Sequence, residues 1–171
     1  MLSNISGLIT ALLFSFYIFL PASAGTAYKE LEAELKAQNW EEADLSTDII
    51  LSEYGYRQPI KSFKNIPCRV LRDIDALWLR YSNRRFGMSI QKRIWVESGA
   101  KLNGKYPGHK IWKKFSDRVG WRANDRWDYY FETISKISTN SPKGMLPARY
   151  SSNLITGDGL NLFPRVDFCG L

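Results

Sequence analysis

The feature that most constrains this chain is a helical periodicity beginning directly after Pro67. Val70, Leu71, Ile74, Leu77, Trp78 and Tyr81 recur at three- and four-residue steps, which places them on one broad face of an α-helix. A face that wide has to be covered, so the spacing predicts a helix that walls a core. Pro67 suits its start, because a proline at a helix entrance lacks only an N–H that would have no partner there. The polar run Ser82-Asn83-Arg84-Arg85 ends it, and Phe86 reads as an aromatic displayed at the end of that turn. Ser89 is the expected N-cap of a following helix that carries Ile90, Ile94 and Trp95.

The same period recurs upstream. Tyr28, Leu31 and Leu35 mark one amphipathic helix, and Ala43, Thr47, Ile50, Leu51 and Tyr54 mark a second after the break at Asn39-Trp40. A short connection makes these two an antiparallel pair. Residues 55–67 and 98–110 read as loops, and a short helix is expected from Ile111 to Arg118 with Gly120 as its left-handed stop. Residues 119–130 are dense in Trp, Tyr and Arg without a clean period. Ser141-Pro142-Lys143-Gly144 is a turn, and the remainder, with Gly157, Gly159 and Pro164, carries weak order signals. No run is long enough to build a sheet. The fold expectation is all-α.

The N-terminus is separate in character. Every charged side chain lies beyond residue 28, and residues 5–20 form an uninterrupted apolar stretch. Ala22 and Ala24 then give the small-x-small pattern of a signal-peptidase site. Residues 1–24 are therefore either an export signal cleaved after Ala24 or an uncleaved membrane anchor, and residues 25–171 form the domain. Membrane association through residues 5–20 is expected in the second case.

Charge and residue type exclude several chemistries. The formal net charge of +7 favours anionic partners, among them propionates, phospholipid headgroups and acidic proteins. Acidic residues are interspersed throughout and no basic run resembles a nucleic-acid arm, so no nucleic-acid partner is expected. His109 is the one histidine, which excludes a histidine-based zinc site or facial triad. Pairs such as Glu41 with Glu42, or Asp73 with Asp75, read as solvated helix faces. No nucleophile, phosphate-cradling loop or metal set is present in pattern, so no enzyme and no required cofactor is expected. Cys68 and Cys169 allow one disulfide in an oxidising compartment, and their spacing does not suggest a metal.

Aromatics make up 14 % of the chain, which suits either a heavily packed core or a groove lined with flat rings. Cations flank several loop apolars: Arg84-Arg85 precede Phe86 and Met88, Arg122 follows Trp121, and Met145-Leu146-Pro147 lies between Lys143 and Arg149. That juxtaposition suits an amphipathic acid, with apolar walls for its body and cations for its carboxylates.

Several ordered blocks sharpen this. They are Tyr28 to Thr47 (YKELEAELKAQNWEEADLST), Ile66 to Trp95 (IPCRVLRDIDALWLRYSNRRFGMSIQKRIW), Phe115 to Arg122 (FSDRVGWR) and Phe131 to Pro147, which ends in PKGMLP. With these blocks the chain resembles the genomes-uncoupled-four family, porphyrin-binding regulators of magnesium chelatase in chlorophyll-making organisms. The resemblance implies a compact cupped-hand helical domain, with an N-terminal helix pair and a flexible loop over a ligand groove. It implies binding of protoporphyrin IX and magnesium protoporphyrin IX, a chelatase subunit as partner, a cyanobacterial or plastid context, and no catalysis. Carried onto these motifs, the groove would be walled by Phe86, Met88 and Ile90, by Trp121 and Arg122, and by Leu146, Pro147 and Arg149. Two departures bear on the ligand: Arg84 and Met88 stand where the family pattern has Gly and Phe, and Met145 stands where it has His. Loss of a ring weakens stacking by roughly 0.5–1.5 kcal/mol. The alternative is an exported or anchored protein-interaction or sensor paralogue on the same fold, with porphyrin binding altered or lost.

Overall fold

The structure is a computed structural model that describes residues 24–55, 62–122, 136–150 and 160–171. Among the described residues there are six α-helices and no strand. They are α1 (Ala24–Ala37), α2 (Trp40–Gly55), α3 (Cys68–Tyr81), α4 (Met88–Glu97), α5 (His109–Val119) and α6 (Leu162–Phe168), with a 3-10 turn at Phe63–Asn65. The all-α expectation holds.

The helix pair forms where the period breaks. Gln38 takes a left-handed conformation (φ 59°), and Asn39 N–H bonds back to the Glu34 carbonyl at 2.9 Å, so α2 turns back against α1. Leu31 and Leu35 of α1 and Ala43, Ile50 and Leu51 of α2 are fully buried between them. The α3 face predicted from the sequence is buried at Val70, Leu71, Ile74 and Trp78, and half-buried at Leu77 and Tyr81. Trp78 Nε1 donates to Thr47 Oγ1 at 2.9 Å, which ties α3 to α2 through a polar bond inside the core.

Most of the described aromatic side chains are core. Trp40, Trp78 and Phe86 pack as one cluster, with the Phe86 ring centroid 5.4 Å from that of Trp40. Trp95, Trp112, Phe115, Trp121 and Phe163 form another. Every described tryptophan is buried, so no flat ring from this set lines an open groove. Phe86 is likewise buried rather than displayed. The turn before it folds inward because Ser82 Oγ accepts hydrogen bonds from the Arg85 and Phe86 N–H groups.

Two further expectations change. Ser89 is not the N-cap of α4: the helix begins at Met88 after Gly87, and its first turn is capped from α3. There, Asp75 Oδ1 accepts the Ser89 N–H at 2.9 Å. Gly87 (φ 135°) is required at that junction, because a Cβ there would stand 2.8 Å from Asp75 Oδ1. The weakly ordered C-terminal reading is also replaced, since Leu162–Phe168 is helical. Pro164 fits because it falls in the first turn, where its missing N–H is not needed.

The C-terminal segment is fastened to α3. Cys68 and Cys169 form a disulfide with Cα atoms 5.2 Å apart, and Arg72 Nε donates to the Cys169 carbonyl at 3.0 Å. Gly120 ends α5 in the left-handed conformation, as the sequence indicated. No helix of the described residues is long and apolar enough to cross a membrane. Residues 1–23 of the export-or-anchor segment, most of residues 119–130, and residues 151–159 lie outside the described residues.

Candidate functional site

Three sequence motifs meet at the start of α4. The turn at 85–87 and the segment at 144–147 are joined by two backbone bonds: Gly144 N–H to the Arg85 carbonyl at 2.9 Å, and Gly87 N–H to the Leu146 carbonyl at 3.0 Å. Gln91, fully buried on α4, donates through Nε2 to the carbonyls of Gly144 (2.8 Å) and Pro147 (2.7 Å). Its Oε1 accepts a bond from the Tyr150 hydroxyl. Trp121 Nε1 donates to the Met145 carbonyl at 2.8 Å, which brings in the motif that follows α5. Gly144 (φ 75°) lies directly behind Ile94, where a Cβ would approach its Cδ1 to 2.9 Å.

Most of the sequence-predicted site residues build this junction from within. Phe86, Met88 and Leu146 are fully buried, and Pro147 and Trp121 are buried beside them; the Leu146–Pro147 peptide is cis. Arg122 is buried, with Nε donating to Asp117 Oδ1 at 2.8 Å. Arg149 is held over the acidic face of α2. Its N–H donates to Asp44 Oδ2 at 3.1 Å, and its guanidinium stands 4.0 Å from Glu41. Its charge also opposes the upward shift that burial gives the Asp48 carboxyl. Both arginines are therefore engaged by carboxylates of the protein. Of the eight, Ile90 lines an open cavity between the 82–87 turn, α4 and α5.

That cavity, of about 590 Å³, is a basic cleft. Its apolar floor is Ile90 and Ile94, one turn apart on α4. Around them stand Arg84 and Arg85 from the turn, Arg93 from α4, Arg118 from α5 and Lys143 from the motif segment. Arg118 is paired with Glu97, the cleft's one carboxylate. Arg85 donates to the carbonyls of Ser141 (2.6 Å) and Asn140 (3.1 Å), which fixes its guanidinium without neutralising it. Among the described residues no carboxylate lies within ion-pair distance of Arg84, Arg93 or Lys143. Arg84 also occupies a left-handed backbone conformation (φ 57°), which a non-glycine residue adopts only under local constraint.

Sequence reasoning found Arg84, Arg85 and Lys143 as cations beside loop apolars, and Ile90 as a wall residue. It missed Ile94, Arg93 and Arg118. The signal for the first two was present: Ile90, Ile94 and Glu97 recur at helical spacing with Arg93 beside them, a stripe that can be read as floor and rim. Arg118 had no such signal, because α5 meets α4 only in the tertiary fold.

A larger concavity of about 760 Å³ lies between α1 and α3. Two ion pairs line it, Arg69 with Asp73 and Arg80 with Glu32, with Lys29 beside them, and none of the eight predicted site residues reaches it. Burial pushes the Tyr28 phenol there well above its ordinary range, with Asp73 adding to the shift. No grouping of metal-binding side chains occurs among the described residues.

Residues 21–158 match the model of a family described as GUN4-like. The chain belongs to the GUN4-like family. A relative from Cyanidium caldarium, the uncharacterized protein ycf53, is 34 % identical over 127 residues, covering 70 % of this chain and 49 % of that protein. The Ycf53-like protein of Synechocystis is 29 % identical over 138 residues, covering 75 % of this chain and 53 % of its own length. The tetrapyrrole-binding protein of the Arabidopsis thaliana chloroplast is 32 % identical over 119 residues, covering 58 % of this chain and 45 % of that protein. This chain spans about half the length of the curated relatives it matches. Among solved structures, ligand-free Arabidopsis thaliana GUN4 superposes with a TM-score of 0.57 at 25 % identity, covering 85 % of this chain and 93 % of that one. The family's helical fold is thus the fold of this chain.

Proposed function

We propose that this chain binds a tetrapyrrole, protoporphyrin IX or its magnesium chelate, and performs no reaction on it. The observation that carries this reading is the basic cleft built at the convergence of the family motifs, in a chain related to a tetrapyrrole-binding protein. A cavity of this size falls within the roughly 300–1,000 Å³ range of small-molecule sites. The macrocycle would sit over the narrow apolar strip that Ile90 and Ile94 leave exposed, and its propionates would meet Arg84, Arg93 and Lys143 through charge-assisted hydrogen bonds. Phe86, Met88, Leu146, Pro147 and Trp121 support that wall from behind, and Arg122 and Arg149 pin the segments that carry it.

The test is a titration of the full chain with protoporphyrin IX and with its magnesium chelate, following the Soret band and tryptophan quenching. The expected result is saturable binding at about micromolar concentration or tighter. No spectral change with either ligand overturns the proposal. Regulation of magnesium chelatase extends the reading to a partner, and retention of a chelatase subunit on the porphyrin-loaded chain is its expected signature.

A second reading places the domain, residues 25–171, outside the chelatase compartment as an exported or anchored sensor. The Cys68–Cys169 disulfide favours it, because disulfides persist in oxidising compartments, and so does the apolar stretch at 5–20. Recovery of the chain with residues 1–24 removed and the disulfide intact would separate it from the first.

A further inference from the structure

The charge on the cleft exceeds what a porphyrin with two carboxylates neutralises. Five cations and one carboxylate line it, and that carboxylate is taken by Arg118. Arg84, Arg85, Arg93 and Lys143 have no ion-pair partner among the described residues. They come from three parts of the chain, the 82–87 turn, α4 and the 142–144 turn, which the fold brings to one cleft. Arg85 is already oriented by its bonds to Ser141 and Asn140, so it meets a ligand anion without first losing side-chain freedom. The apolar surface is correspondingly small. Ile90 and Ile94 are 8 % and 7 % exposed, which leaves little for vinyl or ethyl substituents to cover.

We infer that the cleft selects porphyrins carrying four carboxylates over those carrying two. The inference rests on the tetrapyrrole reading given above. A tetracarboxylate porphyrin offers one carboxylate for each of the four cations that lack an ion-pair partner. A dicarboxylate leaves two cations facing the ligand's apolar periphery, where desolvation opposes binding. The extra pairs lie at a partly exposed rim, so each is modest and all are screened by salt.

The experiment titrates the full chain with coproporphyrin, which bears four carboxylates, and with protoporphyrin IX, which bears two, at low and high ionic strength. Coproporphyrin is expected to bind about tenfold more tightly at low salt, and the gap to narrow as salt is added. In an Arg93→Gln, Lys143→Gln double variant the preference is expected to disappear. Both side chains are exposed, so the fold is retained, and a circular dichroism spectrum matching wild type checks this. Protoporphyrin IX binding as tightly as coproporphyrin, or more tightly, overturns the tetracarboxylate preference and leaves the tetrapyrrole reading standing. Binding of neither porphyrin removes that reading itself and the inference with it.

Discussion

At the scale of single residues, Asp44 and Asp75 do the work of backbone. Each carboxylate is fully buried, and each accepts N–H groups that a loop or helix start would otherwise leave unpaired: Ala148 and Arg149 for Asp44, Ser89 for Asp75. Asp75 Oδ2 has no hydrogen-bond partner. Burial accordingly raises the Asp75 carboxyl above its ordinary value, partly offset by the Ser89 and Met88 bonds and by Arg84. The folded chain therefore binds its proton more tightly than the unfolded chain does. Between the ordinary value of 3.8 and the raised one, stability falls as pH rises. Asp75→Asn is expected to flatten that slope, and Asp75→Ala to lower stability by about 1–2 kcal/mol through loss of the cap. Urea unfolding midpoints measured across the acid range decide it, and an unchanged slope in the asparagine variant contradicts the assignment. None of this was legible in the sequence. An aspartate on a helix face reads as solvated, and what buries Asp75 is Gly87, twelve residues on, passing directly over its Oδ1.

At the scale of elements, most boundaries were readable because periodicity and punctuation agreed. Pro67 opens α3, Gly120 closes α5, and the break expected at Asn39-Trp40 falls one residue earlier, at Gln38-Asn39, with Trp40 opening α2. The C-terminal helix was not readable, since a seven-residue segment with a proline in its first turn carries too short a period to register. The junction of the motifs was half-legible. Their residues were identified, yet the expectation that Phe86, Met88 and Leu146 face a ligand assumed that loop apolars point outward. Gln91 instead draws the 144–150 segment inward. Gln91→Leu leaves the Gly144 and Pro147 carbonyls and the Tyr150 hydroxyl without that partner, and is expected to destabilise the fold by about 2–4 kcal/mol. Thermal unfolding measures this, and a midpoint equal to wild type contradicts the latch.

At the scale of the whole molecule, the disulfide closes the chain. Cys68 and Cys169 are 101 residues apart, and a loop of that size corresponds to about 4–5 kcal/mol of lost unfolded-state entropy in the chain-entropy model. Guanidinium unfolding with and without a dithiol reductant is expected to show a large downward shift on reduction, whereas coincident curves would mean the bridge adds nothing to stability. The two cysteines were visible in the sequence, but their pairing depends on α6 folding back onto the start of α3.

The central claim is that the face of α4 carrying Ile90, Arg93 and Ile94 receives a tetrapyrrole. Its most direct test is one titration, protoporphyrin IX against wild type and against Arg93→Glu, which reverses the charge at an exposed rim position without touching the core. The expected result is at least about a tenfold rise in Kd with unchanged thermal stability. An identical Kd in both proteins would place the ligand elsewhere and contradict the assignment of the cleft.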